Sequence, residues 1–121
     1  MSDENMTSGE ASAAFVEIKP AAAPPVISVL MPLYQQAGFV AASVASILAQ
    51  RRVVAEILIS DDGSTDGTFQ VVQQTVARCL AASPVPHRIL LRRGTTRLHR
   101  DHVPLLIDKA GCNLVVQAHG D

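Results

Sequence analysis

The sequence has no tryptophan, one tyrosine and three phenylalanines, an aromatic share of 3% in 121 residues. With hydrophobic residues at 48%, its interior has to be filled by Val, Ile, Leu and Ala, which favours an aliphatic α/β core over an aromatic β-sandwich. Cysteine is as scarce. Cys79 and Cys112 stand far apart with no Cys-x-x-Cys pair, which argues against a disulfide framework and a zinc knuckle and leaves two reduced thiols. A net charge of -1 provides no global field to draw in nucleic acid or an anionic membrane. No apolar run approaches the ~18 residues of a membrane span. Asp3 and Glu4 stand where a secretory signal needs basic residues. The expectation is a soluble, cytoplasmic chain, at most peripheral at the inner membrane face, with no nucleic-acid partner.

What is present falls into two parts. Residues 1–24 mix polar residues with Ala and Pro, show no sustained apolar period, and read as a flexible tail. Residues 25–121 are rich in Val, Ile, Leu and Ala and read as one small domain. Within it, Val26 to Met31 is an apolar run ended by Pro32, as a buried parallel strand would be. Phe39, Val40, Val44, Ile47 and Leu48 then recur at helical spacing. Ala55 to Ser60 reads as a second strand. Phe69, Val72, Val76 and Leu80 mark a second helix, with its N-cap expected at Thr65 or Asp66. His87 to Leu91 reads as a third strand. Pro104 to Ala110 is expected to be helical, with Pro104 at the first helical position and Gly111 near the C-cap, and Leu114 to Ala118 is a fourth strand.

This alternation implies a Rossmann-like, mostly parallel sheet with flanking helices, and right-handed crossovers place every strand's carboxyl end on one rim. In open α/β sheets, ligands bind beyond those ends. The rim therefore gathers Pro32-Leu33-Tyr34, Asp61-Asp62 and His119-Gly120-Asp121. One aromatic and several carboxylates on one rim point to a nucleotide base and a metal-bound diphosphate.

Three segments in order carry a family resemblance: Ser28-Val29-Leu30-Met31-Pro32-Leu33-Tyr34, Ser43 to Gln50, and the turn Asp61-Asp62-Gly63-Ser64-Thr65-Asp66-Gly67-Thr68. Together they resemble the amino-terminal, nucleotide-binding half of a family 2 glycosyltransferase of the GT-A fold. The resemblance implies transfer of a sugar from a nucleotide-sugar, with inversion and with Mg or Mn, to an acceptor saccharide or lipid that the residues do not identify. It implies that Tyr34 packs on the base and that the backbone at Pro32 touches the nucleotide. It also implies that Asp62 accepts the imide N–H of uracil, a role suited to an acceptor-only carboxylate and one that favours a UDP-sugar. Asp61, whose side chain points to the opposite face of the strand, orients the turn. Asp121 falls where the family's Asp-x-Asp places a metal carboxylate, and oxygen ligands suit Mg or Mn.

Two positions depart from the family pattern: His119 replaces the first acid of the Asp-x-Asp, and Val103 takes the place of the usual arginine. The sequence also stops at the metal motif, so the expectation is a domain truncated there, lacking the acceptor half and its general base. A non-catalytic nucleotide-sugar-binding module is the alternative, and an uncovered sheet edge would favour self-association. Plainer roles stand beside these. Asp61 and Asp62 also suit a strand end and a helix cap, and Tyr34 also suits packing at a loop edge. Arg92, Arg93, Arg97 and Arg100 suit a solvated loop better than a phosphate clamp. His119 fits a ligand contact and a neutral rim side chain equally. Asp62 to Gly67 mimics the start of a calcium loop, but Gln73 stands where the bidentate Glu is required. Ser64 stands where a haloacid dehalogenase-type phosphatase needs its nucleophilic Asp, and a receiver domain would need a strand-end Lys that is absent.

Overall fold

Every residue of the strand Ala55–Asp61 is buried, and the reason is its position at the centre of a five-stranded sheet. A computed structural model describes residues 14–118 of the chain. In chain order the elements are β1 (Val16–Lys19), β2 (Ile27–Leu33), α1 (Val40–Ala49), β3 (Ala55–Asp61), α2 (Thr68–Ala82), β4 (Arg88–Arg93), α3 (His102–Lys109) and β5 (Val115–Gln117). A 3-10 turn at His99–Asp101 leads into α3. The sheet order is β1-β4-β3-β2-β5, parallel throughout except for β1, which runs antiparallel to β4.

Strand alternation sorts the core into two layers. Met31, Leu33, Ile57, Ile59, Ile89 and Leu91 face α1 and α2, and meet Val40, Val44 and Leu48 of α1 and Val72 and Val76 of α2. The steps of four residues in each helix are what put one apolar stripe on the sheet. On the other face Leu30 and Leu58 meet Leu106 of α3, with Phe15, Leu90, Ala110 and Val115 packed against them. The chain steps from β2 through β3 to β4 over the first face, then returns over the second to place β5 on the far side of β2. Opposite travel on opposite faces is what right-handed crossovers require. The reversal makes the carboxyl end of β2 a topological switch point, where α/β sheets open a crevice.

Four sequence expectations shift. The segment read as a tail, 1–24, contains β1, in which Val16 pairs with Leu91 and Glu17 with Leu90. The strand is four residues long and mostly exposed, so its order comes from the edge of β4 rather than from its own apolar pattern. Residues 1–13 lie outside the described residues. Strand β2 continues through Pro32 to Leu33 instead of ending at Met31. Ser28 N donates to Leu114 O, and Leu30 O accepts from Ala118 N, so the even positions of β2 turn toward β5. The missing N–H of Pro32 therefore faces the side where β5 has already ended, and no ladder bond is lost. The N-cap of α2 is Gly67, at φ +89°, rather than Thr65 or Asp66, although the Asp66 carboxylate accepts the Thr68 N–H at 3.0 Å. Helix α3 starts at His102, so Pro104 is its third residue, still within the first turn where an N–H has no intrahelical partner.

The amino-terminal end of the sheet is closed by one buried acid. Glu56, 3% exposed, accepts from Ser28 Oγ at 2.9 Å and Gly111 N at 2.7 Å through one oxygen, and from Arg88 Nη1 at 2.7 Å through the other. Arg88 Nε reaches Glu17 at 2.6 Å, and Cys112 N donates to Ser28 Oγ at 3.1 Å. A Cβ at position 111 would come within 3.3 Å of a Glu56 oxygen, which explains a glycine there. Nearby, buried His87 accepts the Ala55 N–H on Nδ1 at 3.0 Å, so its Nε2 carries the proton and donates it to Gln50 O at 2.7 Å. That pairing fixes the neutral ring, and burial lowers its pKa.

Candidate nucleotide-binding site

At the carboxyl rim Asp61 and Asp62 diverge, as successive strand residues must. Asp61 turns toward α2, where its carboxylate accepts the Ser64 hydroxyl at 2.5 Å and the Ser64 N–H at 3.0 Å. It is 1% exposed and holds the turn that follows β3. Gly63, at φ +79°, supplies the left-handed residue this turn needs.

The turn in turn holds the loop that carries Tyr34. Gln35 N donates to Ser64 Oγ at 2.8 Å, Thr65 N to Gln35 Oε1 at 2.7 Å, and Gln36 N to Thr68 Oγ1 at 2.9 Å. Ala37 N reaches the Asp66 carboxylate at 3.2 Å. The Thr68 hydroxyl is the main cause of a lowered Asp66 pKa, with the Ala37 and Thr68 amides adding to it. Gln35 itself sits at φ +53°, the left-handed geometry that lets the chain double back after Tyr34.

Asp62 turns the other way, under the loop that precedes α3. One carboxylate oxygen accepts Leu98 N at 2.7 Å; the second accepts His99 N at 3.1 Å and Arg97 Nε at 3.4 Å. Its own N–H donates to Leu33 O at 2.9 Å, tying the ends of β2 and β3 together. The Arg97 guanidinium carbon lies 3.5 Å from the centroid of the Tyr34 ring. Tyr34 and Asp62 therefore meet at one corner, with the Arg97 side chain between them.

Behind that corner lies a buried polar cluster that charge-run reasoning placed in a solvated loop. Arg92 belongs to β4 and is 1% exposed; Nη1 donates to Ser60 Oγ at 2.9 Å, while Nε and Nη2 have no partner among the described residues. The alternation Leu90, Arg92 against Ile89, Leu91 carries it to the α3 face, a signal available in the sequence once β4 is extended. Gly94 packs directly over the guanidinium, since a Cβ there would lie 3.1 Å from Nη2. His102 Nε2 stands 2.7 Å from the same Ser60 hydroxyl. Ser60 accepts from Arg92, so its own proton is free for a neutral His102. Burial lowers the His102 pKa, Asp62 opposes this, and the Arg92 charge adds to the lowering. Burial also lowers the Arg92 pKa, against the pull of Asp62 and Asp61.

Of the expected site residues, Pro32, Tyr34, Asp61 and Asp62 share this rim. Asp121 and His119 lie outside the described residues. Among the described residues no group of three His, Cys, Asp or Glu side chains is placed to hold a metal ion. No helix among the described residues is long and apolar enough to cross a membrane.

The family model described as glycosyl transferase family 2 matches residues 28–98, a span that contains β2, the acidic turn and Arg97. A search of curated proteins finds no match. Among solved structures, the chain is similar to the mannosyltransferase PcManGT from Pyrobaculum calidifontis in complex with GDP-Man and Mn2+, with a TM-score of 0.62 and 23% identity over 86% of this chain. It is also similar to TarS from S. aureus, with a TM-score of 0.56 and 20% identity over 79% of this chain. At these identities the likeness is one of fold. The chain spans 31% of the mannosyltransferase and 16% of TarS.

Proposed function

Because the chain belongs to glycosyl transferase family 2, we propose that it binds a nucleoside-diphosphate sugar, with the base at the Tyr34–Asp62 corner, as the donor half of an inverting glycosyl transfer. The observation that carries this reading is the convergence of the chain's one tyrosine and a buried carboxylate at the switch-point rim, inside the family-matched span. Tyr34 offers a ring face for stacking. Asp62 is acceptor-only and selects bases with an N–H at the pairing edge, uracil first and guanine next. The GDP-Man in the mannosyltransferase neighbour supports the nucleotide-sugar class.

A divalent cation at Asp121, Mg or Mn, extends the reading, supported by the Mn2+ of that neighbour. When bound, such an ion neutralises charge on the leaving diphosphate. The three acids of the turn are poor choices for the acceptor's general base, since Asp61, Asp62 and Asp66 each hold backbone N–H groups. The acceptor, saccharide or lipid, and its base belong to the half of the reaction that these elements do not furnish. A cytoplasmic placement, free or peripheral to the membrane, goes with a nucleotide-sugar donor.

The test is thermal unfolding with and without UDP and Mn. UDP is expected to raise the midpoint of the wild-type chain. Asp62→Ala should lose that shift relative to its own ligand-free midpoint. Retention of the full shift by Asp62→Ala, or no shift in the wild type with UDP or GDP, contradicts the reading. Binding without sugar transfer or hydrolysis from any UDP- or GDP-sugar would assign the chain to the non-catalytic module instead.

A further inference from the structure

We propose that Arg97 is an internal competitor for the nucleobase, an inference that rests on Tyr34 and Asp62 forming the base corner. A base recognised there needs a flat π surface on Tyr34 and an N–H directed at Asp62. The Arg97 guanidinium already supplies both. It is planar and delocalised, its central carbon lies 3.5 Å from the ring centroid, and its Nε–H points to Asp62 at 3.4 Å. Side chain and base require the same volume and the same acceptor oxygen, so one has to leave before the other enters.

The local construction allows that exchange. Asp62 holds the loop through the main-chain N–H groups of Leu98 and His99, at 2.7 and 3.1 Å, and these bonds do not involve the Arg97 side chain. His99, at φ +54°, adopts a left-handed conformation that a non-glycine residue keeps only when its surroundings impose it. The loop backbone is thus fixed while the side chain above it is not. Arg97 is 36% exposed, and its 3.4 Å bond to the buried Asp62 carboxylate is longer than a strong N–H···O contact. The guanidinium can swing outward on its flexible stem without unfolding the loop.

The consequence is a uniform reduction in nucleotide affinity, because the apparent Kd is the intrinsic one divided by the fraction of molecules whose corner is open. A stacked, partly exposed cation with one long hydrogen bond sets that factor at roughly 3- to 10-fold. Every base displaces the same side chain, so Arg97 scales UDP and GDP affinities together and leaves their ratio to Asp62.

The experiment is calorimetric titration of UDP and of GDP into the wild-type chain, Arg97→Ala and Arg97→Gln, with circular dichroism to confirm that each is folded. It is accompanied by NMR of the tyrosine ring, whose signals are unambiguous because Tyr34 is the only tyrosine. The wild-type chain should show cross-relaxation between the Tyr34 ring and the Arg97 side chain that disappears when UDP saturates it. Both variants should bind both nucleotides about 3- to 10-fold more tightly, by the same factor for each. Wild-type binding that the variants weaken or leave unchanged, or a Tyr34–Arg97 contact that persists in the UDP complex, overturns the competitor role and leaves the base corner standing. Absence of UDP and GDP binding in all three folded proteins overturns the base corner, and the competitor role with it. The wild-type NMR measurement needs no variant, so a variant that fails to fold does not remove the test.

Discussion

The two ends of the sheet treat buried charge in opposite ways. At the amino end, Glu56 has its partners: both oxygens bonded, with Arg88, Ser28 and the Gly111 amide all drawn to one carboxylate. At the carboxyl end, Arg92 is as deeply buried, yet two of its three guanidinium nitrogens have no partner among the described residues, and the Arg97 charge rests on a ring and a long bond. A buried polar group without a partner costs free energy that a folded chain ordinarily avoids. The difference teaches where stability resides and where it was given up. The amino end joins β1, β2, β3, β4 and the α3–β5 turn, whereas the carboxyl end gathers incompletely satisfied groups beside the crevice of the fold.

The largest effect should follow from breaking the satisfied end. Glu56→Ala leaves the Ser28 hydroxyl and the Gly111 amide without their buried acceptor, and a loss of about 2–4 kcal/mol is expected in urea unfolding. The same variant, where folded, should bind UDP as the wild type does. A loss below about 1 kcal/mol would mean that the network is no more than a surface ion pair.

Acidification tests both ends together. His87 and His102 are each buried and each has a lowered pKa in the folded chain. Below the unfolded-state value of about 6.5 the unfolded chain takes up protons that the folded chain refuses, so stability falls as pH falls from 7 toward 5. The slope should approach about 1.4 kcal/mol per pH unit for each ring while the folded pKa remains below the pH. His87→Gln, measured by urea unfolding at pH 7.5 and 5.5, should flatten the profile by one ring's share. An unchanged slope would remove His87 from the account.

A smaller effect is expected where the partners are missing. Arg92→Met keeps much of the volume and removes the orphaned charge, so it should change stability by no more than about 2 kcal/mol and in either direction, since replacing buried ionic groups with apolar ones is often neutral or stabilising. A loss comparable to that of Glu56→Ala would show that the two ends are equally satisfied. Smallest of all on stability is Tyr34→Ala, expected within about 0.5 kcal/mol of wild type because the ring is partly exposed. It should nonetheless weaken UDP several-fold through lost stacking.

Much of this was legible in the residues and some was not, for reasons that differ by element. Strands β2 to β5 and helices α1 and α2 are written in local patterns: apolar runs cut by Pro or Gly, and Val40, Val44 and Leu48 at steps of four. Strand β1 is not, because Val16 and Ile18 alone make no pattern and only the edge of β4, some seventy residues on, gives them a partner. The divergence of Asp61 and Asp62 could be read from alternation along a strand. The hold of Asp62 on the Leu98 and His99 amides could not, since it depends on how the 94–101 loop folds back over β3. Arg92 and Arg97 look alike in a run of arginines; one lies in the strand register and is buried, the other lies in the loop and reaches Tyr34.

The most direct test of a functional carboxyl end is amide chemical-shift mapping of the wild-type chain as UDP is added. The account predicts perturbations confined to residues 33–37, 61–68 and 94–102, with the amides of Ser28, Glu56, Arg88 and Gly111 unmoved. Shifts centred on those four, or none at saturating UDP and GDP, would contradict it.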